Sequence, residues 1–141
     1  MVNGQAQLRC QMINFRLLGL WDTVLSTNLS GTRYQLDVVP GFQHVAQAVA
    51  LNEYRGDTFR RLSDSTGAFP LESIMGSILP VGQTRIEMGF LGAHADIGGG
   101  LGTNNELSRV ALSWMIEQAK DAGVKMLDST ITVPSSAVIH D

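Results

Sequence analysis

Glycines cluster in this chain after apolar runs, where a chain that leaves a strand must turn sharply. The run MINFRLLGLW, residues 12–21, is almost continuously apolar and lacks the 3.6-residue period of an amphipathic helix. Such a run is typical of a parallel strand that is buried on both faces of a sheet. We therefore predict an α/β fold in which residues 12–21 form a central parallel strand that leads into Asp22.

The segment FQHVAQAVALNEYR, which follows Gly41, is predicted to be a helix. Its apolar residues recur at the spacing of one helical face. They are Phe42, Val45, Ala46, Val49 and Ala50. The same periodicity makes the polar end of this segment a solvated helix end, so we expect Asn52 to have no specific role.

A second strand is predicted over residues 84–91, and it runs into the glycine-rich segment GAHADIGGG at residues 92–100. A second helix follows, since Thr103 and Glu106 have the spacing of a capping box and Gly123 is suited to a helix C-terminus. The predicted apolar face of this helix consists of Leu107, Val110, Ala111, Trp114, Met115 and Ala119.

Composition excludes several classes of function. The formal net charge is -3 and the pI is about 5.5, so there is no basic field to attract nucleic acid or anionic lipid over a distance. The chain has one cysteine, Cys10, and therefore no intrachain disulfide. No apolar run approaches the roughly 20 residues of a membrane span, and the first residues do not resemble a signal peptide. We expect no nucleic-acid partner and no transmembrane segment.

Two titratable residues follow the two predicted strands. Asp22 and His94 are 72 positions apart (94 - 22), which leaves room for a helical crossover that makes their strands neighbours. A carboxylate bound to one imidazole nitrogen leaves the other nitrogen to act as a base, as in a nucleophile-histidine-acid triad. α/β-Hydrolases place the residues in the order Ser, Asp, His, but this chain has no G-x-S-x-G elbow, and its first serine, Ser26, follows Asp22.

Other interpretations of the same residues remain open. Glycines 98 to 100 with Gly102 precede a helix and resemble a phosphate-binding loop, although the lysine of a Walker motif is absent. His94 and Asp96, with Asp22, have side chains that suit a divalent metal. An isolated Asp after a strand is also common as a helix cap, and an isolated His is common as a structural residue.

Five blocks of the sequence resemble a known family in order and spacing: FRLLGLWDTV, HVAQAVALNEYR, FPLES, MGFLGAHADIGGG and ELSRVALSWMIEQA. This family consists of the type VI secretion phospholipase effectors that form the first lipase-effector family. The resemblance implies an α/β-hydrolase fold and hydrolysis of phospholipid carboxylic esters. We expect no cofactor and no metal. The resemblance identifies Asp22 with the triad acid and His94 with the triad base. Relatives commonly have Ser and Val where this chain has Ala95 and Ile97.

The family's serine lies in a G-F-S-R-G elbow upstream of the Trp-Asp-Thr block, and the resemblance implies that this chain begins after it. We therefore expect residues 1–141 to be a partial α/β-hydrolase domain, mostly a parallel sheet with flanking helices, without the first strands and the elbow. Asp96, Gly98, Gly99 and Gly100 are expected to shape the loop that holds His94. The final Ile-His-Asp resembles the start of a His-Asp-Ser block, after which relatives continue.

The resemblance also implies partners and a location. We expect a phospholipid or other ester substrate, a carrier in the secretion apparatus and an immunity protein. The protein would be cytoplasmic in the producing cell and delivered by the type VI system into the periplasm of a target cell. The alternative is a catalytically inactive remnant or binding module derived from such a hydrolase, which would expose an unpaired sheet edge and either aggregate or need a partner.

Overall fold

A parallel sheet with helices forms the described part of the molecule, as predicted. The computed structural model describes residues 11–23, 40–52, 78–127, 131–132 and 135–140. Its elements are β1 (Phe15–Trp21), β2 (Phe42–Ala50), β3 (Thr84–Phe90), α1 (His94–Gly98) and α2 (Glu106–Asp121). The three strands are parallel and lie in the order β1-β2-β3. This is an α/β arrangement.

The segment from Phe42 to Ala50 is a strand, and the predicted helix there is wrong. Val45 and Ala46 lie on opposite faces of the sheet, and both are fully buried. Small and β-branched side chains can satisfy a helical period by chance, because a short apolar run does not distinguish a buried strand from a buried helix. Pairing with β1 on one edge and β3 on the other stabilises the strand, and this non-local pairing outweighs the helix propensity of the alanines.

The centre of the described sheet is β2, not β1 as predicted. Phe15 of β1 pairs with Phe42, and Thr84 of β3 pairs with His44, so β2 separates the two outer strands. The strands that lead to Asp22 and His94 are therefore not neighbours. The two residues nevertheless reach the same edge of the sheet, because all three strands run in the same direction.

Helix α2 covers one face of the sheet and forms the core with it. The buried members of this core are Ala46, Ala48, Ala50, Ile97, Ala111, Trp114 and Met115. Met115 approaches β1 at Gly19, where an added Cβ would lie 2.9 Å from the methionine sulfur. Phe90 meets Trp114 edge to face, with ring centroids 5.6 Å apart. Close packing of small strand residues against large helix residues holds α2 over the sheet.

The predicted apolar face of α2 is the face that packs on the sheet, but its predicted N-terminus is wrong. The helix begins at Glu106 after Asn105, and no side-chain cap is present there. Thr103 is exposed and lies outside the helix. At the other end Gly123 has a φ of 75° and its N–H donates to the Lys120 carbonyl, which confirms the predicted glycine at the C-terminus.

Candidate active site

Asp22 and His94 meet at the C-terminal edge of the sheet. The distance from Asp22 Oδ2 to His94 Nδ1 is 2.7 Å. An ionised carboxylate can only accept hydrogen bonds, so the imidazole donates from Nδ1. In the neutral ring the other nitrogen, Nε2, then carries no proton. The pair thus has the geometry in which a carboxylate selects the tautomer of a histidine base.

Asp22 is held rigidly by the end of β2. Its side chain is fully buried, and its second oxygen, Oδ1, accepts the backbone N–H of Ala50 at 2.8 Å. Its own N–H donates to the Ala48 carbonyl at 2.6 Å. The φ of Asp22 is 44°, in the left-handed region that non-glycine residues seldom adopt. Such strain persists only where surrounding contacts determine the conformation, and it is frequent at functional sites.

His94 is the first residue of the one-turn helix α1, where a loop was predicted. The helix follows Ala93, and the side chain of Asp96 accepts the Ala93 N–H through Oδ2 at 3.0 Å. The backbone N–H of Asp96 donates in turn to the Ala93 carbonyl at 2.9 Å. The His94 side chain is 38% exposed, whereas its partner Asp22 is inaccessible. Solvent therefore reaches the imidazole but not the carboxylate.

Gly92 joins β3 to this turn and is fixed by Asn52. The N–H of Gly92 donates to Asn52 Oδ1 at 3.0 Å, and the Asn52 N–H donates to the Gly92 carbonyl at 3.0 Å. A Cβ at Gly92 would lie 2.6 Å from the Cβ of Asp96, and φ there is 123°. The close approach and the positive φ both require glycine.

Asn52 is a residue that the sequence analysis missed. The helical period of its segment predicts a solvated helix end at this position. The signal was nevertheless present: Asn52 lies two residues after the end of β2, and Asp22 lies one residue after the end of β1, at the edge where parallel sheets collect functional groups. Because residues 42–50 are a strand, the rule that makes Asp22 a candidate applies to Asn52 as well.

Asp96 is a buried carboxylate. Its observed hydrogen bonds do not include one to the His94 ring. Besides Ala93, its partners are the backbone N–H of His140, at 3.0 Å from Oδ2, and His140 Nδ1, at 2.6 Å from Oδ1. Burial acts to raise the pKa of Asp96, but the hydrogen bonds from His140 and Ala93 and the imidazole charge outweigh it, and the pKa lies below its ordinary value. Asp96 and His140 thus form a second Asp-His pair, and its aspartate lies two residues after His94.

The glycines after α1 occupy a different position from a phosphate-binding loop. Gly98 ends α1, and Gly99 and Gly100 follow with φ of 79° and 99°. Helix α2 begins only at Glu106, which brings a carboxylate into its first turn. A negative charge there opposes anion binding at the helix N-terminus. The conformation of residues 99 and 100, rather than lack of space for a side chain, explains the glycines there.

The described ranges contain neither a cluster of metal-binding side chains nor a membrane-spanning helix. No group of three or more His, Cys, Asp or Glu side chains there is arranged to hold a metal ion. Asp22 binds His94 while Asp96 binds His140, so the two carboxylates serve different histidines. Neither helix in the described part of the chain has the length and apolar character needed to cross a membrane.

Comparison with known proteins identifies the family. The model of one family, described as the T6SS phospholipase effector Tle1-like catalytic domain, matches residues 1–118. No curated protein and no solved structure gives a significant match. The matched region covers most of the 141 residues and includes both Asp22 and His94. The chain therefore belongs to the family of Tle1-like type VI secretion phospholipase effectors, within their catalytic domain.

Proposed function

We propose that this chain supplies the acid and the base of a serine phospholipase, with Asp22 as the triad acid and His94 as the triad base. The observation that carries the proposal is the 2.7 Å hydrogen bond between Asp22 Oδ2 and His94 Nδ1. Membership of a phospholipase effector family supports ester hydrolysis over other uses of an Asp-His pair. The serine would belong to sequence encoded upstream of Met1, in the elbow that the family resemblance implies.

The first half of the reaction would form an acyl-enzyme. His94 Nε2 accepts the proton of the serine hydroxyl as the serine oxygen attacks the ester carbonyl carbon. The imidazolium that forms is stabilised by Asp22, whose burial keeps water from competing for the Nδ1 hydrogen bond. Collapse of the tetrahedral intermediate breaks the carbon-oxygen bond to the leaving alcohol, which takes its proton from His94.

The second half would release the fatty acid. His94 accepts a proton from a water molecule as that water attacks the acyl carbon, and it returns the proton to the serine oxygen when the acyl-serine bond breaks. His94 is in the same protonation state before and after this sequence. The exposure of its ring, 38% of the side chain, is compatible with access for both the ester and the water.

The expected substrate, partners and location follow from the family. Phospholipid is the proposed substrate class, as the description of the family indicates. A type VI secretion carrier and an immunity protein are the partners that the sequence resemblance implies. The destination would be the periplasm of a target cell. Residues 1–141 would then be part of a hydrolase domain, with Asp96 and glycines 98 to 100 shaping the loop of His94.

The test begins with the DNA upstream of the Met1 codon, read in the same frame. We expect a strand followed by G-x-S-x-G. The protein expressed with that upstream sequence should hydrolyse phospholipid vesicles and a chromogenic fatty-acid ester, whereas residues 1–141 alone should hydrolyse neither above background, because the covalent route requires the nucleophile.

Substitution of the base then tests the assignment within the longer protein. His94→Ala should lower kcat by about 10⁶-fold, as removal of a triad histidine does elsewhere. The matched control is His44→Ala, because His44 lies in the same sheet but bonds to Thr84 and Gln118. Unchanged activity in His94→Ala would disprove the triad. An upstream stop codon, or inactivity of the longer protein, would favour the inactive binding module.

A further inference from the structure

We propose that His140 is a positioning residue for His94, acting through Asp96. The inference deepens the proposed function and rests on it, since it concerns the geometry of the same base. The observation is a continuous set of contacts: His140 binds Asp96, and Asp96 binds the backbone at Ala93, directly before His94. The final described segment, residues 135–140, is thereby attached to the turn that holds the base.

Three hydrogen bonds converge on the Asp96 carboxylate. One comes from the Ala93 N–H, and two come from His140, through its backbone N–H and its Nδ1. The carboxylate side chain is 1% exposed, so water cannot replace a lost donor. His140 therefore supplies two of the three donors that fix the orientation of Asp96.

The orientation of Asp96 in turn determines the start of α1. Helix α1 has only five residues, too few for its own hydrogen bonds to hold it. Its N-terminus is fixed by Asp96 Oδ2 on the Ala93 N–H, and Asp96 also packs against Gly92 on the other side of Ala93. Loss of the side-chain donor of His140, Nδ1, allows the Asp96 carboxylate to rotate. The first residue of α1, His94, can then shift.

A shift of His94 affects its hydrogen bond to Asp22 directly. Asp22 cannot follow the imidazole, because Ala50 and Ala48 hold its side chain and its backbone. Displacement of a reacting group by about 1 Å can cost about 100-fold in rate. The effect should appear in kcat, because the imidazole acts in the chemical step.

Two matched substitutions test the inference in the protein that contains the upstream sequence. His140→Asn keeps an N–H donor near the place of Nδ1, whereas His140→Gln carries the same amide one methylene further out. We expect His140→Asn to retain kcat within about threefold and His140→Gln and His140→Ala to lower it about 10-fold to 100-fold, with KM nearly unchanged. His44→Ala, which also loses hydrogen bonds of a histidine, should lower thermal stability and leave kcat unchanged.

Proton NMR provides a readout that a merely structural role would not move. A histidine N–H bonded to a carboxylate gives a low-field resonance, and the described residues include two such pairs, His94 with Asp22 and His140 with Asp96. The His94 resonance is assigned by its loss in His94→Ala. We expect the His94 resonance to shift or broaden in His140→Gln and to remain in place in His140→Asn.

The outcomes separate this inference from the proposed function. If kcat and the His94 resonance are unchanged in His140→Gln, the positioning role is wrong, whatever happens to stability. Equal losses in His140→Asn and His140→Gln would also overturn it, because the donor at the Nδ1 position would not matter. Activity that survives His94→Ala would instead disprove the triad, and the NMR comparison would still report on whether His140 positions His94.

Discussion

The backbone N–H of Ala50 donates to Oδ1 of Asp22 at 2.8 Å, so the last residue of β2 fixes the carboxylate that follows β1. The other carboxylate oxygen is thereby directed at His94. Strand β2 thus determines the geometry of the Asp22-His94 pair, although it contributes no titratable side chain to that pair. Two residues further on, Asn52 binds Gly92 at the base of the His94 turn. The end of β2 therefore positions the acid and the turn of the base together.

Replacement of the acid by its amide tests whether Asp22 selects the tautomer. In Asp22→Asn, the amide oxygen can still accept the Ala50 N–H, but the amide nitrogen then faces His94 Nδ1 and forces the ring proton to Nε2. We expect kcat of the protein with its upstream sequence to fall about 10⁴-fold. KM should change little. Steady-state ester hydrolysis measures both, and a parent-like kcat would show that Asp22 has no part in catalysis.

Asn52 is predicted to affect the rate through the hydrogen bond that its side chain accepts from the Gly92 N–H. Asn52→Ala removes the acceptor of the Gly92 N–H and leaves a partly buried donor without that partner. We expect kcat to fall about 10-fold, by a displacement of His94 smaller than about 1 Å. Asn52→Asp retains an acceptor oxygen and is the matched control. If Asn52→Ala and Asn52→Asp have the same kcat as the parent, the contact serves stability only.

Alanine substitutions at two glycines with positive φ distinguish the cost of backbone strain from the cost of a steric clash. Gly82 has a φ of 82° and nothing within 4 Å of an added Cβ, whereas Gly92 has a φ of 123° and Asp96 at 2.6 Å. Gly82→Ala should lower the free energy of unfolding by about 1–2 kcal/mol, the cost of the left-handed region. Gly92→Ala should lower the free energy of unfolding by about 1–3 kcal/mol more than Gly82→Ala does, because buried atoms must move. Urea unfolding measures the difference, and equal losses would contradict the proposed close contact.

Asp96 makes a specific contribution to acid sensitivity. Its pKa is lowered in the folded state, so its contribution to stability is present above the ordinary pKa of the unfolded chain and is lost as pH falls through the lowered value. Asp96→Asn should therefore be less stable than the parent at pH 7. The gap should narrow once the pH falls below the ordinary aspartate pKa, near 3.8. Thermal unfolding at a series of pH values measures the gap, and a gap that stays constant down to acid pH would contradict this account.

Local patterns in the sequence were sufficient to predict β1, β3 and the apolar face of α2. A continuous apolar run before Asp22 and helical spacing from Leu107 to Ala119 both depend on near neighbours in the chain. The ends of two parallel strands likewise made Asp22 and His94 candidates for one site, and the structure brings them into contact. Their catalytic roles stay a prediction.

Tertiary structure alone decided the nature of β2 and the contacts of Asn52 and His140. The β2 sequence satisfies a helical period, and only hydrogen bonding to β1 and β3 makes it a strand. His140 reaches Asp96 across 44 positions, and Asn52 reaches Gly92 across 40. Sequence periodicity contains no information about such distant partners, because they are set by how the strands are ordered in the sheet and where the chain returns to it.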